Sequence, residues 1–105
     1  MERPDPITRR ERFVEVVQSI PCGRWTSYSA VGRALLPPHS GRLVGQMMKR
    51  WGEELPWWRV ARHDGTIALV KLDPAQGKEQ VDRMAAEGVR YDNRLDPAKF
   101  WDPLD

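Results

Sequence analysis

The chain predicts a mainly α fold: a three-helix helix-turn-helix, winged-helix-like, with a small β-hairpin and a C-terminal helix. Three observations carry this expectation. Apolar residues recur at helical spacing in four separate stretches. Short turns rich in Gly and Pro separate the first three of them. Between the third and fourth, the pattern changes to two short β-leaning runs around Asp64-Gly65.

Each element has a local cause. Thr8 and Glu11 stand at capping-box spacing, and Phe13, Val16, Val17 and Ile20 follow at helical intervals, so a first helix is expected over about 8–19. Pro21 and Gly23 break it. Thr26 or Ser27 can cap a second helix carrying Tyr28, Val31, Ala34 and Leu35, which Pro37-Pro38 stops. Ser40 can cap a third over about 41–51, before Gly52. Residues 57–62 and 66–71 are expected to pair as the hairpin, a small wing. Asp73-Pro74 opens a fourth helix through Val81, Met84 and Ala85 that ends at Gly88. The segment from Tyr91 is rich in Asp and Pro, with Phe100 and Trp101 available to pin it down.

One domain, 1–105, is expected, since 105 residues just suffice for a single core. The formal charge of +2 is too mild to announce a nucleic-acid partner, but its distribution is uneven. Basic residues crowd Arg9, Arg10 and Arg12, then Arg42, Lys49 and Arg50, then Arg59, Arg62 and Lys71, whereas acidic residues gather after Asp73. The single cysteine, Cys22, excludes an internal disulfide and suits a reducing compartment. With His39 and His63 it matches no metal-ligand spacing, so no metal and no cofactor are expected. No run approaches the ~20 apolar residues of a membrane span, so no membrane partner is expected. The N-terminus lacks the apolar segment of a signal peptide, and a cytoplasmic, nucleoid-associated bacterial monomer is the expectation. Of the five tryptophans, Trp25 and Trp101 are expected in the core, and Trp57 with Trp58 near a pocket for a flat ligand.

The third helix is the most telling surface. Arg42, Gly45 and Lys49 fall at i, i+3 and i+7 on one face, while Val44, Met47, Met48 and Trp51 lie on or near the other. A glycine inside a helix costs up to ~1 kcal/mol relative to alanine. Gly45 therefore serves either tight packing against the second helix or close approach of an outside partner such as a DNA groove.

Several motifs occur in a set order. They are Ile20-Pro21-Cys22-Gly23-Arg24 with Thr26-Ser27-Tyr28, Arg42-Leu43-Val44-Gly45, Leu55-Pro56-Trp57-Trp58-Arg59-Val60, Asp64-Gly65 and Glu87-Gly88-Val89. Covering roughly residues 12 to 90, they resemble the DNA-binding domain of the O6-alkylguanine-DNA alkyltransferases. Those proteins carry Pro-Cys-His-Arg-Val where this chain has Pro56-Trp57-Trp58-Arg59-Val60. Trp57 thus stands at the alkyl-accepting cysteine, and the pattern is similar to the alkyltransferase-like proteins, which bind alkylated DNA without repairing it. Alkyl transfer needs a thiolate, and an indole has one N–H donor and no basic lone pair. No catalytic residue and no enzymatic activity are expected.

The resemblance implies roles. Tyr28 would press on the phosphate 3′ of the target nucleotide, and Arg42 would fill the gap left by the extruded base. Trp57, Trp58, Val60 and Val70 would line the lesion pocket. Thr26, Ser27, Ser40, Gly41, Gly45, Met48 and Lys49 would contact DNA through the minor groove. Arg59 would brace the loop, and Glu87, which supports the motif histidine in the transferases, would keep a structural role such as accepting the Trp58 N–H. The implied partner is double-stranded DNA containing O6-alkylguanine, with nucleotide excision repair proteins reading the complex. O6-alkylation removes the guanine N1–H donor, so the weakened pair is cheaper to open. The chain departs from the transferase pattern at Trp51, Trp58 and Val70, and Arg42 to Trp57 is a shorter connection than theirs. A winged helix-turn-helix transcription regulator without lesion specificity is the alternative reading.

Overall fold

The computed structural model describes residues 8–105; residues 1–7 of the expected domain lie outside the described residues. Helix α1 spans Arg9–Gln18 and is capped by Thr8, whose hydroxyl accepts the Glu11 N–H at 3.1 Å. Its buried stripe is Phe13, Val16 and Val17. A two-residue strand β1, Thr26–Ser27, leads into α2, Tyr28–Ala34, with Ser27 as the cap. Helix α3, Gly41–Trp51, is capped by Ser40.

Two glycines set the α2–α3 turn. A Cβ at Gly32 would collide with the His39 carbonyl, and one at Gly41 would sit 3.1 Å from the Ser29 nitrogen. The His39 N–H donates to the Gly32 carbonyl at 2.9 Å, closing the turn. The first core fills the space these helices enclose, with Phe13, Val17, Ile20, Val31, Leu35, Val44 and Val60 at its centre. Trp51 tilts against Phe13 at 5.9 Å between ring centroids.

The mainly helical expectation holds, but the hairpin over residues 57–71 does not. Trp57–Arg59 is one turn of 3-10 helix, and strand β2 is only Val60–Ala61. That strand pairs in parallel with β1, Thr26 opposite Val60 and Ser27 opposite Ala61. The second β-leaning run instead ends in a short helix, α4, Leu69–Leu72. Two features explain the difference. Thr26–Ser27 takes the hydrogen-bonding edge of β2, and the chain after Gly65 is drawn to the C-terminal segment, where Leu95 N–H donates to the Gly65 carbonyl at 2.8 Å. Helix α4 then docks on α5, Pro74–Ala86, so closely that a Cβ at Gly77 would lie 2.6 Å from the Val70 backbone.

Helix α5 is capped by Asp73, carries Pro74 in its first turn and ends before Gly88, which has φ +86°. Its inner face supplies Met84 to a second core with Trp25, Ala61, Ile67, Val89 and Leu95. Trp25 also anchors the C-terminal segment. It accepts the Trp101 N–H at 2.8 Å, donates its indole N–H to the Asp96 carbonyl at 2.8 Å, and meets Phe100 edge-on. Trp25 is buried as expected, whereas Trp101 is only half-buried against the first core. No helix among the described residues is long and apolar enough to cross a membrane.

Candidate nucleic-acid interface

Helix α3 turns Val44 and Met47 inward and leaves Arg42 and Lys49 exposed. Gly45 lies between these cations, and a Cβ built there would meet nothing within 4 Å among the described residues. Packing against α2 is therefore not what a glycine at this position serves. Its open side faces outward along the cationic stripe, where the missing side chain lets another surface approach the helix. Ser40 and Gly41 stand at the start of the same helix. Ser40 accepts the Leu43 N–H at 3.3 Å, and Gly41 allows the close contact with α2. Met48 is half-buried against the first core.

Thr26 and Ser27 require correction as direct DNA contacts. They are 0% and 2% exposed, because β1 is covered where it pairs with β2 and enters α2. The Ser27 hydroxyl is occupied as a cap, accepting the Ala30 N–H at 3.0 Å. Tyr28, one residue later, is half-buried with its ring on the first core. Burial raises its phenol pKa above 10.0, with the Arg62 charge acting in the opposite direction. The hydroxyl thus stays protonated at neutral pH and can donate to an anion.

In the Pro56–Val60 segment the two indoles have separate positions. They meet edge-to-face, centroids 6.0 Å apart. Trp58 donates its Nε1–H to Glu87 Oε2 at 2.8 Å, and the Arg83 guanidinium lies over its ring at 4.5 Å. With a face covered by a cation and its only donor committed, Trp58 braces the segment. Val60 sits deeper. It is 0% exposed in the first core, and its carbonyl accepts from Gln80 at 2.9 Å. Val70 is 39% exposed, on α4 and not on a strand of a wing. Trp57 remains: half-buried, with no hydrogen bond from its indole nitrogen among the described residues.

Beneath the tryptophans lies a saturated carboxylate. Glu87 accepts from Arg59, from Trp58 and from the Gly23 N–H at 2.9 Å, while Arg59 Nη1 donates to the Ile20 carbonyl at 2.9 Å. Burial opposes its ionisation, yet the hydrogen bonds from Arg59, Gly23 and Trp58 and the Arg59 charge outweigh it, holding Glu87 at about 2 against 4.5. The loop-bracing role of Arg59 and the structural role of Glu87 agree with the sequence expectation.

Two residues escaped the sequence reading. Gln80 is 2% exposed and donates to the Trp58 and Val60 carbonyls at 3.1 and 2.9 Å, tying the segment to α5. Its place between Gly77 and Met84, at i+3 and i−4 on the buried face, was the available signal. In sequence Arg62 is one of several basic residues, and its position beside Tyr28 depends on the strand pairing.

A helix-turn-helix presenting a cationic, glycine-bearing helix, on a chain that also carries a braced aromatic segment, defines a DNA-binding domain. Residues 8–89 match the model described as "6-O-methylguanine DNA methyltransferase, DNA binding domain", and the chain belongs to that family. It is similar to the DNA base-flipping protein of Escherichia coli K12, with 36% identity over 91 residues, 85% of this chain and 67% of that protein. Alkyltransferase-like protein 1 of Schizosaccharomyces pombe is 35% identical over 102 residues, 88% of this chain and 93% of that one. The crystal structure of S. pombe Atl1 with damaged DNA containing O6-carboxymethylguanine superposes with a TM-score of 0.76 at 32% identity, covering 90% of this chain and 94% of that one. A second structure of the S. pombe protein with DNA gives 0.73 at 28% identity over the same shares.

Proposed function

We propose that this chain is a non-enzymatic sensor that binds O6-alkylguanine in duplex DNA, flips the base toward Trp57 and holds it for nucleotide excision repair. The observation that carries this reading is the division of labour between Trp57 and Trp58. Trp58 is locked to Glu87 and Arg83, while the Trp57 indole has no hydrogen-bond partner among the described residues and stands at the position that resembles the acceptor cysteine. Stacking on such a ring is worth about 1–3 kcal/mol per base. Exposed Arg42 and Lys49, with half-buried Gly45 between them, supply the groove-facing helix, with Arg42 filling the vacated stack. The likeness to Atl1 bound to damaged DNA supports the same mode.

No chemistry on the alkyl group is expected. Neither indole is a nucleophile of the required kind, Glu87 is spent on Arg59, and the only thiol, Cys22, sits on an exposed loop. The test is competition at fixed salt between unlabelled O6-methylguanine and undamaged duplexes of identical sequence. A preference of tenfold or more, about 1.4 kcal/mol, is expected. Equal competition would leave a general DNA-binding domain, and loss of the alkyl group on long incubation would make it an enzyme.

A further inference from the structure

We propose that Arg62 joins Tyr28, whose place at a phosphate the family resemblance already implies, in binding one DNA phosphate, forming a backbone anchor separate from the cationic face of α3. The inference rests on the DNA-binding reading above and adds a residue that no motif of the chain assigns. Its basis is the strand pairing. Strands β1 and β2 run parallel with Ser27 opposite Ala61, so Tyr28 and Arg62 are the next residues on each side and leave the pair at the same end. Parallel neighbours lie only about 4.8 Å apart. Burial raises the Tyr28 phenol pKa and the Arg62 charge lowers it, in keeping with the neighbouring positions that the register gives the two residues.

Both groups are unengaged. Arg62 is exposed, and its side chain has no hydrogen bond or ion pair among the described residues; the same holds for the hydrogen bonding of the Tyr28 hydroxyl. The backbone behind Arg62 is nevertheless fixed. Its N–H donates to the Thr66 carbonyl at 3.1 Å, its carbonyl accepts the Gly65 N–H at 2.8 Å, and Gly65 is tied to Leu95. The nearest acid in sequence, Asp64, is turned onto Thr66, accepting its N–H at 3.0 Å and its hydroxyl at 2.7 Å. What remains is a planar cationic fork neighbouring a neutral O–H donor, with no anion among the described residues satisfying either. Phosphate oxygens fit that pair, since guanidinium binds them with two parallel N–H bonds and the phenol supplies a third donor.

The experiment uses the whole chain and duplexes carrying one O6-methylguanine. The phosphates flanking the lesion are replaced one at a time by neutral methylphosphonates. At one position the replacement should weaken wild-type binding about tenfold, and weaken Arg62→Ala and Tyr28→Phe hardly further. Arg62→Ala should also make the slope of log K against log salt shallower by about 0.9, while Arg62→Lys keeps the slope. Additive losses at every phosphate would overturn the pair. Absence of lesion preference in the wild type with this coupling intact would overturn the sensor reading alone.

Discussion

Arg59 meets Glu87 side-on, with Nη2 at 2.8 Å from Oε2 and Nε at 2.9 Å from Oε1. Through the remaining bonds of these two residues, the ion pair joins three parts of the chain. The Ile20 carbonyl and Gly23 N–H belong to the loop after α1, Trp58 to the turn before β2, and Glu87 to the end of α5. Both side chains are nearly buried, 15% and 12% exposed, so the pair is little screened by solvent. The carboxylate therefore holds in place the segment that carries Trp57.

The pair gives stability a defined acid limb. Glu87 is held at about 2 in the folded chain against 4.5 otherwise, so its folded pKa is depressed. Its contribution is fully present above about 4.5 and is lost as pH falls from there toward about 2. Glu87→Gln leaves Arg59 without its counter-charge and should cost on the order of 3 kcal/mol at pH 7. Urea melts at steps from pH 7 to pH 2 should show the gap between the two proteins closing below pH 4.5. A gap that stays constant would mean that the carboxylate's charge does not matter.

Restoring a thiol should not restore transfer. A Trp57→Cys side chain would still lack a base, because Trp58 has no basic lone pair and Glu87 is a hydrogen-bonded carboxylate of very low basicity. Intact mass after incubation with excess O6-methylguanine duplex should be unchanged at neutral pH, while lesion preference falls with the lost indole. A stoichiometric gain of one methyl group would show that some other group activates the thiol.

Gln80 is expected to be costly to lose although it touches no surface. Gln80→Leu keeps the volume and strands the Trp58 and Val60 carbonyls without their shared donor. Burying unpaired carbonyls should destabilise the fold by roughly 2 kcal/mol. Thermal melts read that loss directly, and a smaller lesion preference in the folded variant would show that α5 positions the tryptophan segment. Unchanged melting would place the bond among the dispensable ones.

What could be read from the residues follows from the range of the forces involved. Helices α1 to α3 were legible because Thr8, Ser27 and Ser40 act on N–H groups three residues away. The stripe of Arg42, Gly45 and Lys49 was legible for the same reason, since one helix fixes its own faces. Strand β2 was misread because its partner is Thr26–Ser27, far back in the chain, and no local pattern around Asp64-Gly65 records that pairing. The same distant contact hid Arg62 and buried Thr26 and Ser27, which a motif can align with a DNA surface but cannot expose. The Arg83 guanidinium over the Trp58 ring was not legible, because Arg83 is distant in sequence, whereas the Trp58–Glu87 bond follows from the family motif.

Gly45 allows stability and binding to be pulled apart by one methyl group. Alanine is the better helix former by up to ~1 kcal/mol, and the added Cβ meets nothing within 4 Å, so Gly45→Ala should stabilise the folded chain. On DNA the same methyl would stand between Arg42 and Lys49, where the groove floor is to approach, and should weaken binding to damaged and undamaged duplexes alike. Denaturant melts and fluorescence anisotropy on one preparation check both signs. Stabilisation with undiminished affinity would mean that α3 lies farther from the duplex than its glycine suggests. The opposed result requires that the open space above Gly45 is filled only when DNA is bound.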